Sequence, residues 1–552
     1  MASPQAAAET VSPDPGRTAP NRASLPRVAW RFGERWLRPS LFDVLLIAVP
    51  FWFFSLAEGG LGLLLADGDT GWHIRTGQWI LEQGRFVHRD LFSFTKPGEP
   101  WFAWEWLADV IWALLHQAGG VQAVALFGMV AGVAFCGIVF RHILWQGANL
   151  WIALPLAFAC FGAATLHLLA RPHLFTMVLL PAAAWWIEAD RKQPGRMIWL
   201  MAPLAALWAN LHGGWPALIA ILGLAAAGSA AEAAAGTGSW AAARRYAWLT
   251  ALCLAATLLN PYGWRLHAHI FQYLQADYIR NLVGEFRAPS FRGEPMLHYE
   301  LALLAGVAAS GVMLLRRQFV APLWILFWAH ASLQSARHIP LFIGVAMPFV
   351  GAELQRLWTD WAERGGRRSP LSVLSALARE AAPELKRVSV WPAAIAALVL
   401  LRAVPFPYFD DFPAERFPRS IVERRQAEFA GARIFTADQW ADYLIYRLWP
   451  RVKVFFDGRS DFYGRDIAEE YLRAMEGRPG WEAVLEKYRF DTVLVSPQTA
   501  LASLLKISPG WRLVEDDGKA VLFRRRGPAA QQTASVPPHS IRNPALGPNE
   551  IP

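Results

Sequence analysis

From Asp67 to Asp109 the chain reads DGDTGWHIRTGQWILEQGRFVHRDLFSFTKPGEPWFAWEWLAD, directly after a long apolar segment over residues 41–66. In so apolar a sequence few stretches crowd carboxylates, histidines, arginines and tryptophans this closely. Asp67 and Asp69 stand where the chain would leave a membrane. If Asp69 opens a helix, His73 follows one turn later on the same face. Aspartate is also favoured at helix starts, where its side chain caps free backbone N–H groups, and that role suits one of the two. It does not explain why Glu105 and Asp109, again four apart on one face, add more acid to an acidic loop.

The composition sets the class. Of 552 residues 54% are hydrophobic, with 28 Trp and 33 Phe, and the mean hydropathy is +0.23. Repeated apolar runs near twenty residues call for membrane spans. The first starts near Leu41 and is too long for a cleaved signal peptide. Cys136, Cys160 and Cys253 all sit in apolar runs, which argues against a disulfide framework or a cysteine metal site. The net charge of +9 raises nucleic acid as a partner, but in a polytopic membrane protein excess Lys and Arg mark cytoplasmic loops. No nucleic acid is expected.

Residues 1–26 are rich in Ala, Pro and Ser and predict a disordered cytoplasmic start. Arg27, Arg31, Arg35 and Arg38 precede the first span and place the N-terminus in the cytoplasm. Residues 102–116 read as a helix lying on the membrane surface, with Glu105, Asp109 and His116 on one face. The later spans then fall near residues 121–140, 150–169, 173–188, 197–211, 215–235, 246–259, 298–315, 319–335, 338–354 and 389–404. With this choice Arg141, residues 190–196, Arg244, Arg245, Arg316, Arg317 and the basic segment 356–387 all lie in the cytoplasm. The expected fold is mainly α, a polytopic bundle of about eleven spans over residues 27–404 with a first outer loop at 67–118.

The same topology brings Arg171-Pro-His173, Asn210-Leu-His212-Gly-Gly, Asn260-Pro-Tyr262-Gly and Ala336-Arg337-His338 to the outer face. Each is a turn between spans and alone reads as a loop or helix cap. Together they suggest a site, because ionisable groups near membrane depth line functional cavities. A further outer loop, residues 262–297, has mixed charge and carries His267 and His269. Residues 405–526 alternate strand-like and helix-like pieces and predict an extracytoplasmic α/β domain. Its conspicuous loop, Asp457-Gly-Arg459-Ser-Asp461, reads as a charge-paired turn or a binding loop. Residues 527–552 are Pro/Ala-rich and predict a disordered tail.

Acids, arginines and histidines at a membrane surface suit a lipid-linked phosphate substrate. Arg or His would bind the phosphate, and a carboxylate would accept a proton from an attacking hydroxyl. Asp67 and Asp69 could instead share a divalent cation, Mg or Mn, with the phosphate. The catalytic candidates are Asp69, Asp67 and His73. The substrate-binding candidates are Arg75, Glu105, Asp109, Arg171, His173, His212, Arg337 and His338.

Asp67-x-Asp69-Thr-Gly-Trp72-His73, Arg89-Asp90-Leu-Phe-Ser-Phe, Trp104-Glu105-Trp106-Leu, Asn210-Leu-His212-Gly-Gly and Asn260-Pro-Tyr262-Gly resemble motifs of the GT-C superfamily of polytopic glycosyltransferases. The similarity is to its bacterial protein-mannosyltransferase-like and lipopolysaccharide-core-glycosyltransferase-like members. It spans about residues 41–404 plus the C-terminal domain. The resemblance implies an inverting hexosyltransferase in the cell (inner) membrane, moving a sugar from a polyprenyl-phosphate donor to a glycan, lipid or protein acceptor outside the cytoplasm. It also implies that the first-loop acid, taken as Asp69, is the general base. A transporter or flippase of lipid-linked sugars is the competing reading, and it would place ionisable groups in matched halves near the bilayer midplane. A non-catalytic scaffold is the third.

Overall fold

The computed structural model describes residues 36–45, 60–165, 167–292, 296–366, 369–387, 389–400 and 409–527. Most of the expected first span and nearly all of both terminal segments lie outside them. The described chain is a mainly helical bundle followed by a C-terminal domain that contains strands. Among the described residues four helices are long and apolar enough to cross a membrane: Trp106–Trp145, Pro216–Ala234, Leu297–Leu315 and Ala336–Arg364.

That falls short of the eleven spans expected, for a physical reason. Apolar runs at the expected places do fold as helices, but several are short: Leu150–Thr165 has 16 residues, Val320–Gln334 has 15 and Trp240–Ala256 has 17. At about 1.5 Å per residue these give about 25 Å or less, against a hydrocarbon core of about 30 Å. His173–Lys192 is long enough but ends in Glu188, Asp190, Arg191 and Lys192.

The surface helix expected over 102–116 is distinct from the span that follows it. Within Trp106–Trp145 the backbone leaves helical geometry at Gly119 (φ −160°) and Gly120 (φ 65°, ψ −163°). A positive φ of this kind is easy for glycine and strained for other residues. The break therefore separates residues 106–118, which pack on helix Asp69–Gln83, from the apolar stretch beyond.

In the C-terminal domain β1 (Ile434–Thr436), β2 (Thr492–Val495), β3 (Trp511–Asp516) and β4 (Val521–Arg525) form one sheet in the order β1-β2-β4-β3. β1 and β2 are parallel, and the other pairs are antiparallel. Helices Asp438–Leu448 and Ser460–Met475 follow β1 in the chain. The strand-like piece expected at 452–457 makes only isolated bridges, from Val454 to Ile434 and to Ser93 of the first loop. Phe94 N–H donates to the Val454 carbonyl and Val454 N–H to the Phe92 carbonyl, both at 3.0 Å. The loop is thus stitched by its backbone to the edge of the domain.

Candidate active site

Asp69 does open a helix, Asp69–Gln83. The capping role falls to its neighbour: the Asp69 N–H donates to Asp67 Oδ1 at 2.9 Å. Asp69 is left free to turn inward, 6% exposed. It lines a cavity of about 540 Å³ together with His73, Glu105, Arg171, His173, His212, Arg337 and His338. Four turns and loops far apart in sequence therefore meet at one end of the bundle.

A chain of ion pairs crosses this cavity. Arg171 holds Asp67 Oδ2 with Nη1 and Asp69 Oδ2 with Nη2, each at 2.8 Å. Its Nη1 also lies 3.7 Å from Glu285, whose other oxygen is 3.8 Å from Arg337. Arg337 rests over the Phe286 ring at 4.3 Å. Burial pushes the Asp69 carboxyl up to about 7, with Arg171 opposing and Asp67 reinforcing the rise. Burial acts the same way on Glu285, but Arg171 and Arg337 outweigh it and hold that carboxyl well below the usual range. The two outcomes assign roles: Glu285 is a fixed anion, and Asp69 titrates near neutrality.

The histidines are arranged differently from expectation. His73 does not pair with Asp69. Its Nδ1 lies 2.6 Å from Asp109 Oδ1 and its Nε2 3.8 Å from Glu105, while its ring stacks on Trp72. Burial, helped by Arg171 and His212, drives its pKa well below the ordinary value, so His73 is neutral and Arg171 is the cation that serves Asp69. His212 has a tautomer set by a relay. Trp208 N–H donates to the Thr176 hydroxyl, which donates to His212 Nδ1 at 2.7 Å, and the Gly214 N–H meets the same nitrogen. The proton then sits on Nε2, which faces Glu105 Oε1 at 3.5 Å. Glu105 is pushed up to about 7 by burial, against the Gly213 N–H bond. His173 donates from Nε2 to the His167 carbonyl, and His338 from Nδ1 to that of Ala331.

Asp67 and Asp109 stand behind the cavity wall, on Arg171 and His73. Arg75 turns away altogether: its Nε donates to the Tyr446 carbonyl at 2.7 Å, on the C-terminal domain. It does not line the cavity and instead ties its helix to the C-terminal domain. Asp67 Oδ2 and Asp69 Oδ2, the oxygens that could share a cation, both lie on Arg171 at 2.8 Å. Among the described residues no group of three or more His, Cys, Asp or Glu is placed to hold one.

Sequence reasoning missed several members. Glu285 and His167 lie in or next to turns that had been singled out, but neither belongs to a motif. Gly458, Arg459 and Asp461 also line the cavity, and charge pairs hold the turn that carries them. Arg459 is ion-paired with Asp457 at 2.7 Å and with Asp90 at 2.9 Å. Asp442 had no signal beyond its place in a helix.

No protein-family model matches the sequence, and no curated protein matches it. Among solved structures the chain is similar to ArnT from Cupriavidus metallidurans bound to undecaprenyl phosphate, with 13% identity and TM-score 0.47, over 87% of this chain and 97% of that one. It is also similar to the archaeal oligosaccharyltransferase AglB from Archaeoglobus fulgidus, solved with an inhibitory peptide and a dolichol-phosphate, with 12% identity and TM-score 0.46, over 82% and 70%. At this identity and superposition neither defines what the present chain does.

Proposed function

We propose that this protein is a membrane glycosyltransferase. It would move a sugar from a polyprenyl-phosphate carrier to a hydroxyl of a glycan, lipid or protein at the outer face of the inner membrane, with inversion. One observation carries the reading: a single cavity is lined both by charged groups and by apolar ones. Asp69, titrating near neutrality, shares it with Arg171 and Arg337. Apolar side chains from the bundle helices line it too, among them Met177, Ala220, Phe327, Trp328 and Leu341. An anionic head and a lipid tail on one molecule match such a cavity.

In the reaction Asp69 takes the proton of the acceptor hydroxyl as its oxygen bonds the anomeric carbon. The bond from that carbon to the carrier phosphate oxygen breaks, and its electron pair leaves with the phosphate. Arg337 is the cation for that phosphate, because Arg171 is committed to Asp67, Asp69 and Glu285. Neutral His212 can donate its Nε2–H to a sugar or phosphate oxygen, whereas His338, whose Nδ1–H goes to the Ala331 carbonyl, offers Nε2 as an acceptor for a sugar hydroxyl. The arginines of the ion pairs Arg245–Asp190, Arg191–Glu232 and Arg316–Glu353 belong to segments that the basic-loop rule assigns to the cytoplasm.

Purified protein incubated with a panel of polyprenyl-phosphate sugars should release carrier phosphate with one of them, and Asp69→Asn should not. A protein that moves lipid-linked sugar across a vesicle membrane without releasing carrier phosphate would be a flippase instead.

A further inference from the structure

Resting on the reading of Asp69 as the base, we propose that Asp442 of the C-terminal domain is a positioning residue of the reaction: its protonated carboxyl donates a hydrogen bond to Asp69 and holds that base in place. The domain then contributes to the chemistry rather than only covering it.

The geometry leaves little alternative. Asp69 gives Oδ2 to Arg171, and its Oδ1 is buried with no donor. Asp442 gives Oδ1 to the Gly458 N–H at 3.0 Å, and its Oδ2 is likewise buried with no donor. Both orphan oxygens lie beneath Gly458, which brings the two carboxyls close together. A Cβ there would stand 1.9 Å from Asp69 Oδ1 and 2.9 Å from Asp442 Oδ2. Two neighbouring buried carboxylates repel each other, and one shared proton relieves that repulsion. One proton also satisfies both orphan oxygens.

The surroundings decide where it rests. Around Asp69 stand Asp67, Glu105, Arg171 and Glu285, with Arg171 in direct contact. Around Asp442 stand Asp438, Asp457 and Tyr471, which bring no positive charge. Burial and the neighbouring carboxylates raise the Asp442 carboxyl well above the usual range. The negative charge therefore sits on Asp69 beside its arginine, and the proton on Asp442.

Full-length Asp442→Asn and Asp442→Ala proteins test this, each assayed for sugar transfer across pH at saturating donor. Asparagine can donate from its amide to Asp69 while its carbonyl takes the Gly458 N–H, so turnover should stay within about threefold of wild type. Alanine should cost about tenfold or more in turnover with unchanged donor KM. It should also move the acid limb of the profile to higher pH, because the ionised base has lost a donor. A merely structural role would not produce that pairing of effects, nor rescue by Asn. An Asn variant as inactive as Ala, or an Ala variant with the wild-type profile, overturns the proposal. Infrared spectroscopy reads the proton without turnover: a protonated-carboxyl stretch present at neutral pH should vanish in Asp442→Asn. No such loss overturns the pairing. Its loss in a protein that transfers no sugar supports the pairing and sinks the transferase reading.

Discussion

Arg171 and Arg337 both end turns at the same cavity, yet their replacement by Ala should fail in different ways. Arg337 has one carboxylate at 3.8 Å and the Phe286 ring. At that length the pair is weaker than the 2.8 Å pairs of Arg171, and the ring contact adds about 0.5–1 kcal/mol. Arg337→Ala should therefore fold. What it loses is a charge-assisted bond to donor phosphate, about 1.5–3 kcal/mol, which raises donor KM about tenfold to 150-fold. Because that charge is already on the donor before reaction, KM should move more than kcat. Lysine should restore only part, lacking the planar fork.

Arg171 is the opposite case. Its guanidinium is the counter-charge for Asp67 and Asp69 at 2.8 Å and part of that for Glu285. Breaking a buried pair costs roughly 3–5 kcal/mol, so Arg171→Ala should melt earlier. It is also the principal influence lowering the Asp69 pKa. Without it the base holds its proton to higher pH, and the acid limb of kcat shifts upward while donor KM changes little. The assays are donor titrations at several pH values and thermal melts in the same detergent. An Arg171→Ala protein with raised KM but unaltered melting and pH profile, or an Arg337→Ala protein with wild-type KM, would refute this division of labour.

Turnover of the wild type should rise through pH about 7 and fall about tenfold per unit below it, since the base must be ionised; a profile flat down to the ordinary carboxylate range would exclude Asp69. Asp69→Asn should lose about a hundredfold or more in turnover and melt below wild type, because Arg171 loses one of the two carboxylates that it holds at 2.8 Å; transfer at the wild-type rate removes the mechanism. Transfer should persist in chelator, Arg171 occupying the place between Asp67 and Asp69, whereas loss restored by Mg or Mn would return the two-acid cation site. Gly458→Ala drives a methyl to within 1.9 Å of Asp69 Oδ1, an overpacking worth about 1–3 kcal/mol; it should abolish transfer about as fully as Asp69→Asn, and a fully active variant would contradict the packing around the base.

What could be read from the residues was local. Asp69 one turn before His73, Glu105 one turn before Asp109 and the alternating pieces of the C-terminal domain all follow from periods of 3.6 and 2. What could not be read was the direction in which those faces point. His73 and Asp109 share no helix, yet they meet at 2.6 Å, while Asp69, four residues from His73, turns to Arg171. Arg75 is drawn to a backbone carbonyl at position 446, and no spacing rule announces a partner so far along the chain. The count of spans failed for a related reason. Hydropathy marks an apolar run, whereas crossing depends on how many of its residues stay helical and where charges such as Glu188 and Asp190 fall.

The role of the C-terminal domain is open in the sequence, and buried charge shows how the domain is held to the first loop. Arg459 and Asp90 are ion-paired with side chains 2% and 0% exposed, and the Arg459 guanidinium lies over the rings of Phe92 and Trp101. Each of these partners belongs to the first loop, and each would be left as an uncompensated charge or a bare aromatic face if the domain were lifted away. Leaving a charge buried without its partner costs several kcal/mol, more than the exposed contacts of a mobile accessory domain supply. Loop and domain therefore hold each other: Asp90 bonds the Phe92 and Ser93 N–H groups and so shapes the backbone that pairs with Val454. The chain segment that carries Gly458 and Arg459 follows directly from Val454, which places the cover over Asp69 at a fixed depth. The base is consequently built from both ends of the chain, and its geometry depends on that docking as much as on the helix that bears it.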